Sequence, residues 1–183
     1  RGRFARLINC KAQEIAFVKN TTQGLIIAAE AIPLCRGDLI VVNDLEFPSN
    51  LHPWNVVAKK RGARVKTIRS RVGRITPEMV AQAINRQVKV VALSAVQYEN
   101  GFFADLEAIG DLCAKNDIYF VVDAIQACGV MPVDVERWQA SILTAGGHKW
   151  LMSVGGCGFL YVDEKVIDKL SPFNTGWLGQ KDP

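Results

Sequence analysis

Apolar residues arrive along this chain in short blocks divided by polar, turn-rich segments, and the blocks are of two kinds. Runs of strand length stand at Glu14–Val18, Asp38–Asp44, Val88–Val96, Ile118–Ala124, Ser141–Gly147 and Cys157–Val162. "VKVVALSAV" has the unbroken apolar character of a strand covered on both faces, whereas "ARVKTIR" (Ala63–Arg69) alternates as a half-exposed strand does. Between these runs the punctuation is helical. Thr22–Leu34 is an apolar helix stopped near Pro33 and Gly37, and Ser49 caps a helix to about Lys60 with Pro53 in its first turns. Thr76, Pro77 and Glu78 supply an N-cap, a first helical residue and a first-turn acid. Another helix runs from about Asp105 to Lys115, and a closing one starts near Asp163. The opening "RGRFARLIN" reads as the end of a helix already under way. Strand and helix taking turns predicts an α/β, three-layer fold: a mostly parallel sheet with helices on both faces.

Composition supports such a core without redirecting the reading. Of 183 residues, 49% are apolar and 22% charged, ordinary for a globular chain. The net charge of +4 is dispersed. Its two basic clusters, Lys59 to Arg64 and Arg69 to Arg74, lack interleaved aromatics, so they read as solvated surface and not as a nucleic-acid footprint. No apolar run approaches the ~18 residues that a membrane span needs. Five cysteines, widely spaced and odd in number, form no CxxC pair or Cys/His cluster. They point to buried free thiols in a reducing cytoplasm, not to a metal site or a disulfide framework.

Chemistry gathers at one edge. Ligands of open parallel sheets bind beyond the carboxyl ends of the strands, and three successive strands here finish there in polar residues: Ser94 with Gln97, Asp123 with Gln126, and His148 with Lys149. A carboxylate at the end of "FVVD" is costly unless a cation or a donor meets it. Taken singly, Asp123 can be a helix cap, Lys149 a solvated loop lysine and "NTTQGL" (Asn20–Leu25) a good N-cap. Together they match what pyridoxal phosphate asks for. That cofactor needs a lysine amine for an imine, a carboxylate at the pyridine nitrogen, a donor for the ring hydroxyl, a flat group on the ring face and an anion site. The start of the helix after Asn20 offers hydroxyls and backbone N–H groups where the dipole favours a phosphate.

Four stretches carry a resemblance: "NTTQGL", "EFPSNLHPW" (Glu46–Trp54), "VVDAIQACG" (Val121–Gly129) and "GGHKW" (Gly146–Trp150). In order and spacing the chain resembles the class V aminotransferases, the branch of fold-type I pyridoxal-phosphate enzymes that also holds the cysteine desulfurases, over essentially its whole length. The resemblance implies that Lys149 forms the imine, Asp123 meets the pyridine nitrogen and Gln126 hydrogen-bonds the ring oxygen. It implies that His148 and Thr22 hold the phosphate, with Thr21 and the Gln23 backbone close by, and that Phe47 stacks on the ring. It further implies an amino-acid or keto-acid substrate, and a homodimer for which Trp150, Phe173 and Trp177 are candidate interface residues.

Three positions depart from the family pattern. Phe47 stands where relatives often carry a stacking histidine, thought to move protons in the desulfurases. Phenylalanine cannot do so, which shifts the expectation away from desulfuration and leaves Lys149 as the general base. Gly146 replaces a frequent phosphate-binding serine, and Ala95 stands where some relatives have a polar residue. The resemblance also implies a smaller C-terminal domain, with an arginine for the substrate carboxylate, beyond this sequence. Residues 1–183 would then be one large cofactor domain. An inactive truncated remnant that still binds cofactor or dimerises is the alternative, as is a desulfurase, lyase or epimerase relative. A nucleotide-binding domain is disfavoured, because no strand is followed by GxGxxG or a Walker loop.

Overall fold

The central apolar runs become strands because each is covered from both sides. The computed structural model describes residues 1–172. Its elements in order are α1 (Gly2–Ile8), β1 (Ile15–Val18), α2 (Thr21–Ala31), β2 (Leu39–Asn43), α3 (His52–Arg61), β3 (Arg64–Ile68) and α4 (Pro77–Ala83). Then follow β4 (Val88–Ser94), α5 (Leu106–Lys115), β5 (Tyr119–Asp123), β6 (Ile142–Gly146), β7 (Gly158–Val162) and α6 (Glu164–Ile167). The strands form a seven-stranded sheet in the order β1-β7-β6-β5-β4-β2-β3. Pairing is parallel from β6 through β5, β4 and β2 to β3, while β7 runs antiparallel to both β6 and β1.

Alternate strand residues feed two cores. Val41, Val91, Phe120, Val122 and Leu143 pack with residues of α1, α4 and α5, such as Ile8, Val80 and Ile109. Ile40, Val42, Val90, Ala92 and Val121 pack with α2 and α3 through Leu25, Ile32, Trp54 and Val57. Helices therefore cover both faces, and the expected three layers are present. The half-exposed "ARVKTIR" run is β3, at the sheet's edge, where one flank has no strand to pair with among the described residues.

Two helix starts differ from expectation. Ser49 does not cap α3: it sits in a separate 3-10 turn, Pro48–Asn50, and α3 begins at His52 after Leu51. Pro53 fixes that start, because a residue without an N–H is tolerated only in the first turn. Thr76 occupies the N-cap position of α4, but its side chain makes no cap bond to the backbone. The cysteines are all free, yet only Cys113 and Cys128 are buried; Cys35 is exposed, and Cys10 and Cys157 are half-buried. Among the described residues no helix is long and apolar enough to cross a membrane, and no cluster of His, Cys, Asp and Glu could hold a metal ion.

One contact sets the position of the site. Helix α2 lies so close to β6 that a Cβ added at Gly24 would stand 2.0 Å from Thr144 Oγ1. The Gly146 N–H donates to Thr21 Oγ1 at 2.8 Å, tying the first turn of α2 to the carboxyl end of β6. The return from β6 to the antiparallel β7 then keeps residues 147–157 at this same edge.

Candidate active site

The carboxyl ends of three adjacent strands are in register: Ser94 lies beside Asp123, and Asp123 beside Thr144. Above them is a cavity of about 130 Å³. Asp123, Gln126, His148 and Lys149 line it from the sheet side, and Thr21, Thr22 and Phe47 from the α2 side and the β2–α3 connection. Residues from all four sequence motifs thus share one space. A larger hollow of about 660 Å³ opens at the opposite, amino edge, beside Lys89, Tyr119 and Ser141. No motif residue reaches it, and its walls mix lysines with carboxylates, so no single chemistry converges there.

Asp123, on the cavity wall, is strongly perturbed by its setting. It is 2% exposed, and among the described residues its carboxyl has one hydrogen-bond partner, the Ile125 N–H, which donates to Oδ1 at 3.0 Å. Burial pushes its pKa up to about 7, helped by the nearby negative Glu46 and opposed by the Ile125 N–H and the Lys149 charge. A buried carboxyl in this state is short of a cation.

The remaining positions follow from local bonding. Trp150 Nε1 donates to Gln126 Oε1 at 3.2 Å, which leaves the Gln126 amide nitrogen as a donor towards the cavity. Thr22 Oγ1 donates to Ser49 Oγ at 2.9 Å, joining two hydroxyls on the cavity wall. His148 and Lys149 are exposed, in the turn that leaves β6. A Cβ at Gly146 would lie 3.1 Å from both the His148 ring and Thr21 Oγ1, so the glycine gives that imidazole room against the helix start. Phe47 is exposed and not a core residue, and its ring meets Tyr98 edge-on at 5.2 Å and 81°.

Gln23 stands apart from the other expected residues. The Asn20 side chain accepts its N–H at 2.8 Å, and its own Oε1 accepts from Lys19 N–H, so neither faces the cavity. The Gly24 N–H goes to the Asn20 carbonyl, which leaves those of Thr21 and Thr22 as the unpaired N–H groups of the turn among the described hydrogen bonds. Sequence reasoning missed Ser49 and Tyr98 on the wall, and Glu46 behind it. Tyr98 could have been found from its place four residues beyond Ser94, at the same edge. Ser49 was read as a cap, and Glu46 carried no signal beyond its motif.

The family profile described as aminotransferase class-V matches residues 1–179. The chain belongs to the class-V aminotransferase family. Within that family it is 29% identical over 181 residues to an uncharacterized aminotransferase of Bacillus subtilis, covering 99% of this chain and 48% of that protein. It is 34% identical over 170 residues to a probable cysteine desulfurase of Pyrococcus abyssi, covering 92% of this chain and 42% of that one. Among solved structures, the apo cysteine desulfurase of Thermococcus onnurineus NA1 superposes with a TM-score of 0.90 at 33% identity, covering 95% of this chain and 44% of that chain. This class-V chain thus spans less than half the length of each of these three proteins.

Proposed function

We propose that this chain is the cofactor-holding part of a pyridoxal-phosphate enzyme that acts on an amino acid or a keto acid. The observation that carries the reading is the buried, cation-short Asp123 on the same cavity wall as Lys149. The donor set fits the cofactor throughout: a carboxylate for a ring cation, an amine for an aldehyde, an amide N–H for the ring oxygen, and hydroxyls at a helix start for a phosphate.

When bound, pyridoxal phosphate supplies an aldehyde for an amino group and a ring that takes up electrons released at the substrate's α-carbon. Asp123 holds a proton at the ring nitrogen and keeps the ring electron-poor. Lys149 is the amine that would hold the cofactor through its aldehyde, whose oxygen would leave as water, and its free Nζ would be the base for the substrate's α-proton. Gln126, held by Trp150, donates to the ring oxygen. Thr22, His148 and the first N–H groups of α2 take the phosphate, with Thr21 beside them. Phe47 offers a ring face that cannot carry a proton, which favours transamination over the desulfuration for which several relatives are named. The free cysteines suit a reducing cytoplasm. Trp150, Met152 and Val154, 50%, 91% and 77% exposed beside the site, are a surface for a second copy. Phe173 and Trp177, the other candidates for that surface, lie outside the described residues.

Mixing the protein with pyridoxal phosphate tests the reading. A visible band should appear, and borohydride should fix the cofactor onto the peptide holding Lys149. No band, or cofactor fixed on other lysines with Lys149→Ala behaving as the parent, would sink it.

A further inference from the structure

The most heavily engaged side chain near the cavity is one the reading above leaves unused. Glu46 is buried, 4% exposed, and does not line the cavity. Its Oε1 accepts from Asn43 Nδ2, from the Ser94 N–H at 2.8 Å and from Gln97 Nε2 at 3.1 Å. Its Oε2 accepts from Asn50 Nδ2 at 2.8 Å and from the Ser94 hydroxyl. The donors come from the end of β2, the turn before α3, the end of β4 and the loop after it. Trp54 Nε1 donates to Asn50 Oδ1 at 3.1 Å, which turns the nitrogen of that amide to Glu46. Gln97 shows the same bias even more strongly. With its nitrogen on Glu46, its own buried Oε1 has no partner among the described residues, an arrangement that is destabilising unless something is gained elsewhere.

What this hub holds is the floor beside Asp123. Ser94 lines the cavity and pairs in register with Asp123, and both its N–H and its hydroxyl are fixed on Glu46. Glu46 also acts through space, opposing the ionisation of Asp123 while Lys149 favours it. Among the described residues the charged groups facing Asp123 are therefore Glu46 from the β2–α3 connection and Lys149 from the loop after β6. Cys128, also nearby, stays a neutral thiol, because burial pushes it up to about 12.

We propose that Glu46 is a positioning residue of the cofactor site, locking Ser94 beside Asp123 and keeping a second negative charge behind the Asp123 carboxylate, so that a ring cation is held by both. This rests on the pyridoxal-phosphate reading. Two buried negative charges favour the protonated ring more than one does, and the size follows Coulomb's law at short range in a partly dry interior.

The test is a pH titration of the visible band of the 183-residue chain loaded with pyridoxal phosphate, with melting followed in parallel. Glu46→Gln removes the charge, and its midpoint should fall by about one pH unit while cofactor affinity drops about tenfold. Glu46→Asp keeps the charge and should restore most of the midpoint, even if melting falls. Gln97→Met removes one donor and the unpaired carbonyl, leaves the charge less screened, and should move the midpoint the other way, up by a few tenths of a unit. A Glu46→Gln protein that melts lower with an unmoved midpoint shows a merely structural role and overturns the proposal. If Glu46→Gln does not fold, Gln97→Met decides: an unmoved or lowered midpoint overturns it. Absence of a band in the parent protein sinks the cofactor reading itself, and this proposal with it; a parent band with unmoved variants sinks this proposal alone.

Discussion

At Asp123 the needs of the fold and of the site conflict, and pH separates them. Its pKa stands near 7 in the folded protein against an ordinary carboxyl value near 4. Because the folded value is the raised one, its contribution to stability is complete below about pH 4 and is lost as pH rises to about 7. The empty protein should therefore weaken across that window, by at most about 4 kcal/mol at ~1.4 kcal/mol per pH unit. Asp123→Asn should remove the dependence and be more stable than the parent at pH 8, yet bind pyridoxal phosphate far more weakly. Urea titrations at pH 5 and pH 8 check the first part; a variant less stable than the parent at both would contradict it. Val72 makes a second residue-scale case. It is a β-branched residue at φ 52 and 99% exposed, at the tip of a two-residue hairpin closed by the paired Arg71 and Arg74. Asn tolerates this left-handed region and Val does not, so Val72→Asn should raise stability by about 1 kcal/mol, read as a higher urea midpoint with unchanged slope.

Among elements, α2 carries the anion end of the site, and its place depends on a missing side chain. At Gly24 an added methyl would meet Thr144 Oγ1 at 2.0 Å and Thr144 Cβ at 2.7 Å, atoms of a buried residue with no room to retreat. Gly24→Ala gains up to about 1 kcal/mol of helix propensity. Overpacking costs about 1–3 kcal/mol, so the clash wins and the protein should melt lower. The lifted helix would also strain the Thr21–Gly146 bond and weaken phosphate binding, which inorganic phosphate protection against thermal unfolding can report. An equally stable Gly24→Ala protein would mean that α2 can slide without consequence. Element existence was legible from sequence here, since the apolar runs stand where they were expected and α5 (Leu106–Lys115) fills the expected helix from about Asp105 to Lys115. Helix starts were less so. Ser49 reads as a cap, but Pro53 moves the start and the hydroxyl finds Thr22, 27 residues away.

For the whole molecule, the site sits at an open rim. Lys149 and His148 are exposed, and Met152 and Val154 project beside them, a surface of the kind that marks an interaction site. A second copy seated there should appear as a dimer in sedimentation at micromolar concentration with pyridoxal phosphate present. Met152→Asp with Val154→Asp should shift the protein towards monomer without unfolding it, because neither side chain is buried. A parent protein that stays monomeric would remove the dimer from the proposal.

The sequence by itself determined the period of burial, and through it the strands, the three layers and the edge at which polar residues gather. Those depend on which positions are apolar, and the fold honours them locally. It also set the four motifs that place Asp123 and Lys149 on one cavity. Tertiary structure alone decided the strand order and the reversed β7, because an apolar run has no direction until a neighbour pairs with it. It decided that Trp150 orients Gln126, and that Glu46 gathers Ser94 and Gln97 together with its own neighbours Asn43 and Asn50. Buried polar groups must find donors or acceptors wherever the chain brings them, and Glu46 finds Ser94 48 residues away. No local pattern records that pairing, since the pairing exists only once β2 and β4 lie side by side.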